Sequence, residues 1–191
     1  MTGERDGDPG PSHWPVTGAW PDLAGRLVER DGQRAHVLPI RVYFEDTDFS
    51  GLVYHASYVR WCERGRSDFL RLLGSDHRAL MDGAPVAGGQ LKANEQAPVA
   101  GGQPKVQEPA AFVVRRLTLE YLRPARIDDV LEVTTRVKAL TAATLVLDQR
   151  VSRGADLLCT AEVTVVLVSQ GGRVLRLSRA LRGALAEDAG Q

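Results

Sequence analysis

The sequence predicts an α+β fold: one strand, a long central helix, then a run of antiparallel strands forming a curved sheet packed on that helix. Three observations carry this expectation. Between Ser57 and Leu73, the residues Tyr58, Trp61, Cys62, Gly65, Phe69, Leu72 and Leu73 follow the three- and four-residue spacing of one helix face. After residue 111 the apolar period changes from helical to two. The links between the later stretches are short, and short links require antiparallel pairing.

Taken in order, residues 1 to about 18 are rich in Gly, Pro, Asp and Ser without periodicity, which predicts a disordered tail. Pro21 to Glu29 carries Leu23, Leu27 and Val28 at helical spacing, with Pro21 and Asp22 suited to a first turn, so a short surface helix is expected there. Residues 1–37 are thus an N-terminal extension, and 38–187 the folded domain. Val37 to Phe44 is the first strand. In the central helix, Arg60, Glu63, Arg64, Arg66 and Asp68 fall largely on the other faces. Gly65 on the apolar face lets the helix approach a sheet closely, at some cost in propensity, and Gly74 supplies a stop.

A loop at about 82–109 follows. Within it Ala84-Pro-Val-Ala-Gly-Gly-Gln90 recurs as Ala97-Pro-Val-Ala-Gly-Gly-Gln103. Two Gly/Pro-rich copies are too few for a solenoid. They predict a duplicated flexible loop, with a mobile lid as the functional alternative. Strands are expected at Phe112–Leu122, Val130–Leu140, Ala143–Val151, Leu157–Val168 and Arg173–Leu177. Breaks fall at Arg123-Pro124, Asp128-Asp129, Thr141-Ala142, Arg153-Gly154 and Gly171-Gly172. Leu117, Leu119 and Tyr121 face one way; Arg116, Thr118 and Glu120 face the other. A short helix over Ala180 to Ala186 closes the chain. Several strands are apolar on both faces, which predicts oligomerisation.

Bulk properties narrow the function classes. The chain has 191 residues with 43% hydrophobic and 25% charged side chains, ordinary for one globular domain. Formal net charge is zero, so no global basic field exists to hold nucleic acid. The two cysteines, Cys62 and Cys159, and the scattered His13, His36, His55 and His77 show no metal-ligand spacing and no disulfide framework. No apolar run is long enough to cross a membrane, and the polar, acidic start lacks the features of a signal peptide. The expected location is cytoplasmic.

The chemistry concentrates between Arg41 and His55. A strand-like run ends in Glu45, Asp46 and Asp48; Gly51 follows, then Tyr54-His55 and the helix start. Free N–H groups at a helix start carry the positive end of the dipole and can bind developing negative charge, here through the backbone of His55 and Ala56. A carboxylate one short loop away can attack a carbonyl or activate a water. The leading expectation is an acyl-transfer enzyme. Taken singly, an Asp before a glycine turn or a His at a helix start is usually structural.

The segment Tyr43-Phe-Glu-Asp-Thr-Asp-Phe-Ser-Gly-Leu-Val-Tyr-His55, followed by Tyr58-x-x-Trp-x-Glu63-Arg-x-Arg66, resembles the hotdog-fold 4-hydroxybenzoyl-CoA thioesterase family. Within it the match is best to the tol–pal-associated acyl-CoA thioesterases. Phe112-Val-Val-Arg-Arg-Leu-Thr-Leu-Glu-Tyr-Leu-Arg-Pro-Ala-Arg-Ile-Asp-Asp129 is also similar to that group. The resemblance spans about residues 38 to 180. It implies a helix wrapped by an antiparallel sheet, with active sites at the interface of a dimer that often pairs into a tetramer. It places the catalytic carboxylate at Asp48, with His55 assisting, by bonding the carbonyl oxygen or Asp48 or by protonating the leaving thiolate. Whether Asp48 acts as nucleophile or general base stays open.

Gly51, Tyr54, Tyr58 and Glu63 are candidate substrate contacts. Glu63 either orients a water or pairs with Arg60 or Arg66. Glu45 and Asp46 are expected to shape the turn or stay solvated, and Thr47 to bond locally. Arg115, Arg116, Arg123 and Arg126 are candidates for the phosphates of coenzyme A, each weighed against an outward-facing strand charge. No cofactor or metal is expected, CoA being part of the substrate. Acyl-CoA is the expected partner, with an acyl carrier protein as a second acyl source and no stable membrane insertion. The alternative is a non-catalytic module on the same scaffold that binds acyl groups or acyl carrier protein.

Overall fold

The computed structural model describes residues 25–30, 32–75, 77–83 and 108–188. The tail expected over 1–18 and the duplicated segments at 84–90 and 97–103 lie outside the described residues. Seven strands form one antiparallel sheet: β1 (Arg26–Arg30), β2 (Gln33–Arg41), β3 (Ala110–Tyr121), β4 (Val130–Leu140), β5 (Thr144–Arg153), β6 (Asp156–Ser169) and β7 (Val174–Leu175). Their order is β1-β2-β4-β5-β6-β3, with β7 alongside β6. Among the described residues three α-helices accompany them: α1 (His55–Leu72), α2 (His77–Met81) and α3 (Arg179–Asp188). The fold is the expected α+β hotdog, a curved sheet around one long helix.

α1 lies over β1, β2, β4 and β5. Its apolar stripe buries Tyr58, Trp61, Cys62, Phe69 and Leu70 against Leu131, Val133, Leu147 and Val151 of the sheet. Each large aliphatic side chain so buried contributes about 1.5–3 kcal/mol. Gly65 is the point of closest approach. A Cβ added there would stand 3.0 Å from Val133 Cγ1 and 3.2 Å from Thr135 Oγ1. The spacing therefore brings the helix to the sheet as the sequence predicts. Leu181 and Leu185 of α3 are fully buried in the same core, with α3 lying across β2 and β4.

One buried polar network ties helix to sheet. Arg66 Nη1 donates to Gln149 Oε1 at 2.8 Å, and Gln149 Nε2 donates to the Cys62 carbonyl and to Thr135 Oγ1, both at 2.9 Å. Every lone amide and guanidinium contact in this network replaces water lost on burial.

The helix expected over Pro21–Glu29 is corrected by the structure: Arg26–Arg30 is strand β1, paired from Arg26↔Val37 to Arg30↔Gln33. Leu27 and Val28 fit either period over so short a run, and the free edge of β2 decides it. The sheet thus begins ahead of residue 38, inside the expected extension. Likewise the first strand of the prediction starts at Gln33 and ends at Arg41, and Phe44–Asp46 is a 3-10 turn.

β3 is the far edge of the sheet. Its inward side is only half covered, at Phe112, Leu117 and Leu119, and Val113, Val114 and Tyr121 are exposed. A bulge at Arg115 shifts the register between Val114 and Arg116, so the inward parity changes from even to odd residues along the strand.

Candidate active site

A tight turn presents Asp48. Its carbonyl accepts the Gly51 N–H at 3.0 Å, and its N–H donates to the Leu52 carbonyl at 2.9 Å. Gly51 sits at φ 75°, the left-handed region that favours glycine. The turn is pinned on both sides. Thr47 bridges to Val53, Leu52 bridges to Arg126, and the Val53 N–H donates to the Ala125 carbonyl at 2.9 Å.

The Asp48 carboxylate is exposed, and Ser50 holds it. The Ser50 N–H donates to Oδ1 at 2.8 Å and the Ser50 hydroxyl to the same oxygen at 2.5 Å. The hydroxyl first, and then the N–H, hold the carboxyl below the ordinary aspartate range. Asp48 is therefore an anion at neutral pH.

Asp46 has another task. It is buried, and it accepts the Tyr43 N–H at 3.1 Å and Arg60 Nη2 at 3.2 Å. Its carbonyl accepts the Tyr54 N–H at 2.8 Å and the Ser57 hydroxyl at 3.2 Å. Asp46 thus shapes the loop that delivers the chain into α1. Glu45 is exposed, and the Thr47 hydroxyl bonds locally to the Phe44 carbonyl at 2.9 Å.

α1 opens without a capping side chain: Tyr54 at the N-cap makes no side-chain cap bond. Ser57 N–H turns back to the Tyr54 carbonyl at 2.8 Å, which leaves the N–H groups of His55 and Ala56 directed out of the helix end. The His55 imidazole is exposed and lies against the Tyr54 ring, with centroids 4.2 Å apart.

Asp48, Tyr54, His55, Tyr58 and Tyr121 line one open pocket of about 440 Å³, joined by Leu52, Arg123 and Pro124. Among the described residues Asp48 and His55 share this pocket and no hydrogen bond. The Tyr58 hydroxyl accepts the Ala125 N–H at 2.8 Å, and its ring meets Trp61 and Tyr121 edge-on. Burial holds its phenol above the ordinary value, so Tyr58 is a wall and an anchor for the Arg123–Arg126 loop. A second pocket of about 230 Å³, by Met81, Ala110 and Val113 at the other end of β3, presents no carboxylate or imidazole.

The remaining candidates separate by position. Glu63 lies outside the pocket lining. It accepts Arg66 Nη2 at 2.5 Å and the Ser67 hydroxyl at 2.9 Å, while Arg60 goes to Asp46 and Ser57 instead. Of the four arginines, only Arg123 lines the pocket, and its Nη1 donates to the Leu157 carbonyl at 3.1 Å. Arg126 is tied through its backbone to Asp129 Oδ2 at 2.8 Å. Arg115 and Arg116 are exposed on the edge strand.

Two residues escaped sequence reasoning. Ser50 has no role of its own in the motif, yet it is the sole side chain on the Asp48 carboxylate among the described residues. Tyr121 was assigned only a strand face, yet its hydroxyl donates to the His55 carbonyl at 3.2 Å. An Asx-turn pattern in Asp-x-Ser signals the first. Nothing local signals the second, because strand register creates it.

The cysteines are not reactive thiols. Burial pushes Cys62 up to about 12 and Cys159 up to about 11. Among the described residues there is no cluster of His, Cys, Asp and Glu fit to hold a metal, and no helix long and apolar enough to cross a membrane.

Known proteins match both the sequence and the fold. The chain is 40% identical over 131 residues to the acyl-CoA thioester hydrolase YbgC of Escherichia coli O157:H7, covering 68% of this chain and 79% of that protein. It is 34% identical over 133 residues to the acyl-CoA thioesterase YbgC of Haemophilus influenzae, covering 70% and 80%. The crystal structure of a probable thioesterase from Bartonella henselae superposes with a TM-score of 0.63 at 35% identity, over 75% of this chain and 99% of that one. Residues 42–185, which contain the Asp48 turn, the α1 start and every strand from β3 to β7, match the thioesterase-like superfamily, and the chain belongs to that family.

Proposed function

We propose that the protein hydrolyses acyl-CoA thioesters to the free acid and CoA, with Asp48 as the reacting carboxylate. The observation that carries this is one pocket holding an ionised, Ser50-anchored carboxylate beside an uncapped helix start. The names of the YbgC relatives support the same reaction.

As the carbonyl carbon is attacked, charge builds on its oxygen. The N–H groups of His55 and Ala56 receive that oxygen, already oriented and backed by the helix dipole. Two routes use the same atoms. In one, Asp48 Oδ2 attacks, the C–S bond breaks, and the resulting mixed anhydride is hydrolysed by water. In the other, Asp48 takes a proton from a water that attacks directly. In both, the departing thiolate takes a proton, and His55 at the pocket mouth gives it. Arg123 supplies positive charge at the same mouth for a CoA phosphate.

The working form is a homodimer or homotetramer. The edge position of β3 among the described residues, its exposed Val113, Val114 and Tyr121, and the exposure of Asp48 support a second copy covering the site. An acyl carrier protein thioester presents the same carbonyl and is the second substrate form to assay.

The test is a hydrolysis screen across straight-chain acyl-CoA lengths and 4-hydroxybenzoyl-CoA, with wild type and Asp48→Asn. Turnover in the wild type and a loss of about 10²–10⁴-fold in a folded Asp48→Asn oligomer is the expected result. Acyl-CoA affinity without turnover at any length would instead establish a binding module.

A further inference from the structure

We propose that Tyr121 is a positioning residue for that hydrolysis: its hydroxyl polarises the His55–Ala56 peptide and so strengthens the Ala56 N–H that receives the substrate oxygen. The inference rests on the hydrolase reading above.

The geometry is specific. Tyr121 ends β3, opposite Cys159 of β6. Its ring stands edge-on to Tyr58, centroids 5.5 Å apart at 78°. Tyr58 is itself fixed by the Ala125 N–H at 2.8 Å. From that seat the Tyr121 hydroxyl donates to the His55 carbonyl at 3.2 Å. Burial holds the phenol above its ordinary range, so it remains a donor at neutral pH.

The His55 carbonyl and the Ala56 N–H belong to one planar, conjugated amide. In a helix that oxygen also receives the N–H of Val59, four residues on. A carbonyl oxygen has two lone pairs, and Tyr121 fills the second. Donation to the oxygen draws electron density through the amide and makes its N–H a stronger donor, the cooperativity of linked hydrogen bonds. Tyr121 thus acts on the reacting carbonyl through the backbone, from a strand that joins the site only by register.

The size of the effect follows from two general magnitudes. One oxyanion donor is worth about 10²–10³-fold in kcat, and linkage strengthens a hydrogen bond by about 10–30%. Taken as that fraction of the donor's free energy, about 10^0.2 to 10^0.9, the effect is about two- to eightfold in kcat.

The experiment compares wild type, Tyr121→Phe and 3-fluorotyrosine at 121 on whichever acyl-CoA turns over best in the length screen, below the phenol pKa of the fluorinated ring. The expected result is a kcat lower by about two- to eightfold in Tyr121→Phe, with KM changed by less than about twofold, and a kcat above wild type for the more acidic fluorinated phenol. Unchanged kcat, or a rise in KM alone, in Tyr121→Phe would reduce Tyr121 to a pocket wall and overturn the inference. If Tyr121→Phe loses its fold, the fluorinated protein, which keeps the hydroxyl, decides: a raised kcat supports the role and an unchanged one sinks it. Wild-type turnover with unresponsive variants rejects only Tyr121, whereas absence of wild-type turnover on every acyl-CoA rejects the hydrolase reading itself.

Discussion

Ser50 bonds the Asp48 carboxylate twice, through its N–H at 2.8 Å and its hydroxyl at 2.5 Å, both on Oδ1. The second oxygen is left to the pocket. The hydroxyl is the largest cause of the lowered Asp48 pKa. Ser50→Ala removes that bond and keeps the backbone one, so the pKa rises toward the ordinary value. If Asp48 must be ionised to react, the acidic limb of the kcat/KM profile moves to higher pH, and activity at neutral pH changes little. A pH–rate profile on both proteins checks this; an unmoved limb would detach Asp48 from the reaction.

His55 contributes an imidazole and a backbone N–H, and only the first is lost on mutation to alanine. His55→Ala is expected to lower kcat by about 10²-fold, the low end for acid–base assistance. Asp48→Asn is expected to lose more. Equal losses would mean that the imidazole is as indispensable as the carboxylate, and steady-state kinetics on the two variants decide it.

The two routes open to Asp48 leave different isotopic records when the anhydride is opened at its Asp48 carbon. In a single turnover in ¹⁸O-water, direct attack places the label in the released acid. Attack of water on the Asp48 side of a mixed anhydride places it in Asp48. Label found by mass spectrometry in the peptide carrying residue 48 establishes the anhydride route, whereas label in the acid alone is left both by direct attack and by an anhydride opened at its acyl carbon.

His36 and Asp68 give a pH-dependent stability. The fully buried His36 Nε2 lies 2.8 Å from Asp68 Oδ2, while Arg71 approaches the other Asp68 oxygen at 3.6 Å. Burial lowers the His36 pKa, and Asp68 works in the opposite direction without cancelling it. A histidine whose folded pKa lies below its unfolded value near 6.5 takes up its proton more readily when unfolded. Its contribution is therefore present above about pH 6.5 and lost as pH falls from there toward the folded pKa. Thermal midpoints should decline on acidification through that window. Asp68→Asn, by removing the opposing charge, should extend the decline to lower pH.

Gly65→Ala sets two effects against each other. Alanine gains about 1 kcal/mol in helix propensity. Its methyl would stand 3.0 Å from Val133 Cγ1, 3.2 Å from Thr135 Oγ1 and 3.4 Å from Gln149 Nε2, which hold one another in place. Overpacking of that kind costs about 1–3 kcal/mol. The net expectation is a loss of roughly 1 kcal/mol, or about 2–4 °C in Tm. A calorimetric midpoint above wild type would show that the sheet yields.

Periodicity was enough to place α1 and the strands from β3 to β6, because each is long enough to show its own face. Leu117 and Leu119 are half-buried while Thr118 and Glu120 are exposed, the alternation the sequence carries. β1 failed that test: five residues with two apolar side chains fit both periods, and the answer came from β2. The Asp48 turn was legible because its chemistry is local: carboxylate, serine and left-handed glycine lie within four residues. Tyr121 meets His55 across 66 residues of sequence. That meeting depends on the β3–β6 register and the bulge at Arg115, which no local pattern encodes.

Gly65 has a consequence for how such a protein diverges. Because Gly65 puts no side chain between α1 and the sheet at its closest approach, the depth of the helix there is set by Val133, Thr135 and Gln149. The same helix carries His55 and Ala56 at its opening end, so that trio works as a shim beneath the amides proposed to receive the substrate oxygen. Changes in bulk there, about three helical turns from His55 and touching no substrate, would be heard as changes in turnover. Selection on rate can therefore act through the floor of the domain while the residues at its mouth stay fixed.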